Sequence, residues 1–196
     1  MESRMNIFYL DNNPEICAKY HVDTHVVKMI LEYSQLLSTA HRVLDGTEYV
    51  DTSSGRAIKR WKIANEKQED LLYKATHINH PSAIWVRKSV GNYIWLHRLL
   101  TELCKEYTYR YGKVHKCESS GLVKALYFPP GNLHTYNFTE PTPAMPEEYI
   151  TKADSIVSYR EYYRKAKKDL WSWKGREIPP FLIKDYCNLT KECAHA

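Results

Sequence analysis

Between residues 14 and 44 the chain has no internal glycine after its opening proline, and apolar side chains recur at Val22, Val26, Met29, Tyr33, Leu36 and Ala40. That spacing of three and four predicts one long amphipathic helix. Ahead of it, residues 6–10 (NIFYL) form a β-branched and aromatic run ended by Asp11-Asn12-Asn13-Pro14, a turn signal with a proline suited to a helix start. This run reads as a single short strand or a buried extended segment. The ordered pattern begins at Met5, which makes Met5 an alternative start to Met1, with residues 1–4 an extension.

Asp45-Gly46 and the polar stretch 51–55 mark a loop, and residues 57–76 resume a charge-rich helical pattern, a second and partly exposed helix. Asn79-His80-Pro81 interrupts it. Pro81 then takes the first turn of a helix running through Trp85, Tyr93, Ile94, Leu99, Leu100, Leu103 and Tyr107 to a stop at Gly112. Residues 128–146 hold five of the nine prolines and read as an irregular wrapping segment. A last helix, about Asp154 to Trp173, is basic and aromatic. No internal repeat is visible. The expected fold is mainly α: one domain over residues 1–196, an orthogonal helical bundle with a short N-terminal extended segment.

One face of the first long helix is unusual. Advancing about 100° per residue, His21, His25, Lys28, Glu32, Gln35 and Thr39 fall within roughly 40° of one line. The apolar set lies to one side of this polar row and Val27 and Leu31 to the other, which points the row at a cleft. Charges in a cleft need partners, and Lys28 and Glu32 at i,i+4 can compensate each other or share a ligand. An ordinary solvated face with one ion pair fits the same positions. His21 and His25 with Asp23 or Glu32 also offer metal donors, but Asp23 points off the line and no further ligand motif follows, so no metal is expected.

Composition narrows the class. Lysine and arginine exceed the acids by 28 to 23, a mildly basic balance that permits a polyanionic partner without requiring one. The 16 tyrosines and 5 tryptophans supply flat faces for bases, sugars or a core. Five cysteines without a C-x-x-C pair or a secretory leader suggest free thiols in a reducing cytosol. No apolar run reaches the roughly 20 residues of a membrane span, so no membrane association is expected. A monomer is favoured, and no cofactor is expected.

Three stretches carry a family likeness. Asp23-x-His25-x-x-Lys28-x-x-x-Glu32-x-x-Gln35, Asn79-His80-Pro81 followed by Trp85, and Glu106 with Arg110-Tyr111-Gly112 resemble the pyrimidine-dimer DNA glycosylase family. The resemblance spans roughly residues 23–112. It implies an all-α DNA repair enzyme of the cytosol, the host's for a phage-encoded member. Such an enzyme binds duplex or locally single-stranded DNA, hydrolyses the N-glycosidic bond of a damaged or modified pyrimidine and acts as a lyase at the abasic site. In the family's phage enzyme the nucleophile is an α-amine exposed by removal of the initiator methionine, which requires a small second residue. Here Met1 precedes Glu2 and Met5 precedes Asn6, and His25 stands where relatives carry arginine or lysine.

The expected catalytic set is therefore Glu32, Lys28, His25 and His21. Glu32 would steady the sugar cation or direct a nucleophile, and Lys28 and the histidines would assist the base or phosphate. Lys28 is also a candidate Schiff-base amine. Asp23, Gln35, Asn79, His80, Trp85, Asn92 and Arg110 are the expected substrate contacts, although capping accounts equally for His80 and core packing for Trp85. Arg160, Arg164, Lys167 and Lys168 form the expected nucleic-acid backbone surface. Two other functions fit the same residues: a group-transfer enzyme of phage-type pyrimidine hypermodification, and a nucleic-acid-binding module without turnover.

Overall fold

A computed structural model describes residues 5–151 and 154–187; the N-terminal extension considered above and Cys193 lie outside these residues. The protein is mainly α. Its helices are α1 (Pro14–Tyr20), α2 (Asp23–Asp45), α3 (Glu66–Leu71), α4 (Pro81–Val86), α5 (Val90–Tyr111), α6 (Lys116–Ser119), α7 (Leu122–Ala125) and α8 (Ser155–Ala166). One antiparallel hairpin, β1 (Thr47–Asp51) with β2 (Ile58–Lys62), separates α2 from α3. The two long helices α2 and α5 pack on each other, α1 lies against α5, and α4 lies against α2. One hydrophobic cluster runs from Met5 through both long helices to Leu182. Among the described residues, no helix is long and apolar enough to cross a membrane.

Residues 5–10 are buried and extended without joining a sheet. Side chains satisfy their backbone instead: the Phe8 N–H donates to the Tyr33 hydroxyl (3.3 Å), and the Cys17 thiol donates to the Phe8 carbonyl (3.2 Å). A buried single strand is possible only because these groups replace a ladder.

Four helix predictions need correction. The helix expected over residues 14–44 is broken at His21 and Val22, both extended (ψ 133° and 156°). Arg110 on α5 donates to the Lys19 and His21 carbonyls at 3.0 and 2.8 Å, taking up groups at the end of α1 that a continuous helix would have used itself. The helix expected from Pro81 to Gly112 is likewise two. The Ser89 side chain caps α5 by accepting from the Asn92 N–H at 3.1 Å, while Gly112, at φ 64°, ends α5 as expected. The terminal helix is shorter than predicted: α8 stops at Ala166, and residues 168–170 form a 3-10 turn.

The stretch 57–76 is not one helix. It contains β2, a link and the single short helix α3. Only Trp61 of the hairpin is buried, so neither strand shows a clear apolar alternation. Arg42 of α2 ties this region down. Its buried guanidinium donates to the carbonyls of Trp61, Glu69, Leu72 and Tyr73 and to the Glu69 carboxylate, all within 2.9 Å. Residues 128–146 are irregular, as the prolines predict.

Candidate functional site

The N-terminal half of α2, the extended segment and α8 meet around a cavity of about 40 Å³. Three residues of the predicted stripe line it: His25, Lys28 and Glu32. Helical spacing puts them on one face, and packing of α8 turns that face inward at its His25 end. Tyr159, Tyr162 and Tyr163 of α8 are buried at i, i+3, i+4, and Phe8 lies among them, stacked on the His25 ring at 4.2 Å.

Lys28 Nζ sits 3.0 Å from Glu32 Oε1, with the lysine side chain 54% exposed and the glutamate only 12%. The carboxylate is thus tucked into the wall and the ammonium stands at the solvent side. Glu32 Oε2 is shielded from solvent and has no hydrogen-bond partner. A second wall residue shares this condition. Asn6 donates through Nδ2 to the Ala144 carbonyl at 3.0 Å, while its Oδ1 is buried with no partner. Lys167, just past the end of α8, completes the charged lining, its Nζ 4.6 Å from the centre of the Tyr162 ring.

The His25 imidazole is held neutral: burial pushes its pKa down to about 2. Its Nδ1 lies 2.5 Å from the Tyr163 hydroxyl, a phenol that burial keeps protonated. His25 therefore serves the cavity as an aromatic wall and a neutral hydrogen-bonding group, not as an acid of ordinary histidine strength.

Other predicted residues are placed elsewhere. His21 is fully buried between the Cys17 carbonyl (2.7 Å) and the Tyr33 hydroxyl (3.2 Å), with its pKa lowered by burial to about 4. Both of its nitrogens are engaged. Asp23 accepts from Arg110, from the Ser172 hydroxyl at 2.6 Å and from the Lys174 N–H, so it fastens the C-terminal segment to the start of α2. Thr39 is bonded to the Thr76 backbone. Gln35 is half-buried and not in the cavity wall, and Val27 and Leu31, expected to flank a cleft, are exposed.

The remaining candidates divide between scaffold and surface. His80 caps α4, its Nδ1 accepting from the Ser82 N–H, and Asn79 is exposed beside it. Trp85 is core, its indole donating to the Thr139 carbonyl at 3.0 Å. Asn92 donates to the Trp85 carbonyl and accepts from the Thr139 N–H at 2.8 Å, so its amide is spent on the proline-rich segment. Arg160 holds the Leu10 carbonyl and Asp11, and Arg164 holds Glu161, whereas Lys168 is exposed.

Asn6 and Phe8 were missed from the sequence. One signal was present: Asn6 is a lone polar residue leading an otherwise apolar buried run. Among the described residues no cluster of three or more His, Cys, Asp or Glu gathers in a metal-holding arrangement. No family model matches the chain, and comparison with curated proteins and with solved structures finds no match, so the glycosylase resemblance rests on the residues quoted above.

Proposed function

We propose that the protein is a cytosolic DNA glycosylase that cleaves the N-glycosidic bond of a damaged or modified pyrimidine nucleotide. The observation that carries this reading is Glu32: one carboxylate oxygen is paired with Lys28, and the other is buried and unpartnered in the wall of a cavity. Leaving a buried acceptor unsatisfied costs about 1–3 kcal/mol, a cost tolerated where a ligand supplies the missing donor or where developing charge is to be met.

Breaking a glycosidic bond develops positive charge on the sugar, and a carboxylate fixed beside C1′ stabilises that charge without reorganising. Lys28 and Lys167 on the same cavity attract the phosphates on either side. At about 40 Å³ the cavity is too small for a base. The nucleotide therefore lies over its mouth, with only the reacting edge of the sugar directed inward. The part of the resemblance that coincides with the cavity, His25, Lys28 and Glu32, is the part that bears on chemistry.

The test is release of free base from duplex oligonucleotides carrying a panel of damaged and modified pyrimidines. Glu32→Gln keeps the shape and removes the charge, so release should fall by about 100-fold or more while the melting temperature stays at the wild-type value. A nucleoside of increased mass with no abasic site would identify group transfer instead. Salt-sensitive DNA binding with no product, indifferent to Glu32→Gln, would identify a binding module.

A further inference from the structure

A groove of about 580 Å³ is lined by His97 and Thr101 of α5, Glu118 of α6, Lys124 of α7 and the aromatic pair Tyr127 and Phe128 that follows α7. Among the described residues it has no lining side chain in common with the Glu32 cavity. Its volume falls within the roughly 300–1,000 Å³ of small-ligand sites, and its wall is mostly apolar. Three rings follow one another there: His97 stands perpendicular to Tyr127 at 5.8 Å between centres, and Tyr127 perpendicular to Phe128 at 4.9 Å. Tyr127 is 62% exposed and Phe128 74%. An edge-to-face contact covers at most one face of a ring, so Phe128, at that exposure, keeps a face open.

A slack chain does not account for this exposure. The Leu126 carbonyl, next to the pair, accepts from the buried Tyr93 hydroxyl at 2.9 Å, which in turn accepts from His41 Nε2 at 2.8 Å. The Tyr127 N–H donates to the Lys124 carbonyl at 3.2 Å. Pro129 and Pro130 restrict the backbone after Phe128, and the Asp45 carboxylate accepts from the Gly131 and Asn132 N–H groups at 2.8 and 3.0 Å. His97 braces the pair, its Nε2 donating to the Val123 carbonyl at 2.9 Å. The fold thus fixes the backbone of two neighbouring aromatic residues from both sides while leaving their rings in solvent, as a binding surface requires.

The charges indicate the ligand. Lys124 in the groove and Lys116 on α6 are exposed, and among the described residues neither is in an ion pair. Against them the groove lining sets one carboxylate, Glu118. Open aromatic faces beside unpaired lysines match a nucleobase and its phosphate, since the ring stacks on any base and the cation neutralises the backbone. A base inside a duplex has both faces covered by its neighbours, so the ligand must be an unpaired one.

The geometry points to a second nucleic-acid site, in which one unpaired base of single-stranded DNA stacks on the open face of Phe128 and the adjoining phosphate sits on Lys124. This site goes beyond the glycosylase reading: it takes DNA as partner but needs no cleavage, and it uses neither Glu32 nor Lys28.

The test is titration of the full chain with a labelled single-stranded oligonucleotide of about eight nucleotides, and with one of the same length that is abasic throughout. The base-bearing strand should bind about 10-fold more tightly or better. Phe128→Ala should weaken it about 5- to 100-fold while leaving the abasic strand unchanged, and Phe128→Trp should restore it. Lys124→Gln should reduce the salt slope of binding by about one. Both side chains are exposed, so the melting temperatures should match the wild type. Equal binding of the two strands, or wild-type binding by Phe128→Ala, would overturn the site. So would a dimer in sedimentation that Phe128→Ala converts to a monomer, which would assign the groove to a second copy of the chain. Base release together with wild-type binding by Phe128→Ala would sink the groove and leave the glycosylase reading standing. Binding that depends on Phe128, with no base released from any duplex, would do the reverse.

Discussion

Arg110 shows how a residue's partners decide its task. Its side chain has no solvent exposure, and its guanidinium donates to the carbonyls of Lys19 and His21 and to the carboxylates of Asp23 and Glu106. Replacing it with methionine would leave Glu106 leaning on Arg176 alone and would strip the end of α1 of its donors. Removing one side of a buried ion pair costs about 3–5 kcal/mol, a large share of the 5–15 kcal/mol that holds a typical domain together. Arg110→Met should therefore lower the chemical denaturation midpoint by a corresponding amount. A variant that unfolds like the wild type but binds DNA more weakly would return Arg110 to the substrate surface. The stripe placed His25, Lys28 and Glu32 correctly on one face because helical spacing is local. Two of its other members, His21 and Thr39, and Asp23 off the row, lie outside the cavity because each answers to a group elsewhere in the chain: His21 to Tyr33, Thr39 to Thr76 and Asp23 to Ser172. Asn6 escaped for the same reason, since only the chain near Ala144 reveals which way its amide faces.

At the level of elements, apolar periodicity found the helical stretches but not their interruptions. Ala18, Val22 and Val26 keep a spacing of four across the break between α1 and α2, so the pattern alone carries no trace of it. The hairpin was hidden because only one of its ten strand residues, Trp61, is buried, and what secures it is Arg42, outside both strands. The proline-rich segment was legible as irregular, yet its course along α5 depends on one unflagged glycine. A Cβ built on Gly91 would lie 2.7 Å from the Asn137 carbonyl oxygen and 2.9 Å from the Phe138 nitrogen, both backbone atoms. Gly91→Ala thus sets a helix-propensity gain of about 1 kcal/mol against overpacking of about 1–3 kcal/mol. Since no flexible side chain is there to give way, the overpacking should prevail. The variant should be destabilised and should show faster amide exchange over residues 128–146 than the wild type. Increased stability would mean that the segment can lift off α5 without loss.

For the whole molecule, the buried histidines link folding to pH. His21, His25, His41 and His97 are buried, and burial lowers the pKa of each, to about 4 for His21 and about 2 for His25. In the unfolded chain they titrate near 6.5. Below that pH the unfolded state therefore takes up protons that the folded state refuses, and stability falls as pH falls. The loss from His21 continues to about pH 4, where the folded state begins to accept the proton too, and that from His25 continues to about pH 2. Each such histidine contributes a slope of up to about 1.4 kcal/mol per pH unit, so His21 and His25 together should remove up to roughly 4 kcal/mol between pH 6.5 and 5. Carboxylates stay mostly ionised over that interval, which assigns the slope to imidazoles. Denaturant titrations from pH 8 to 5 should show a plateau above about pH 7 and a steep decline below 6.5, shallower in His25→Phe. A flat profile to pH 5 would mean that these rings gain protons as readily folded as unfolded, and with that the picture of a neutral His25 in the cavity wall would fail.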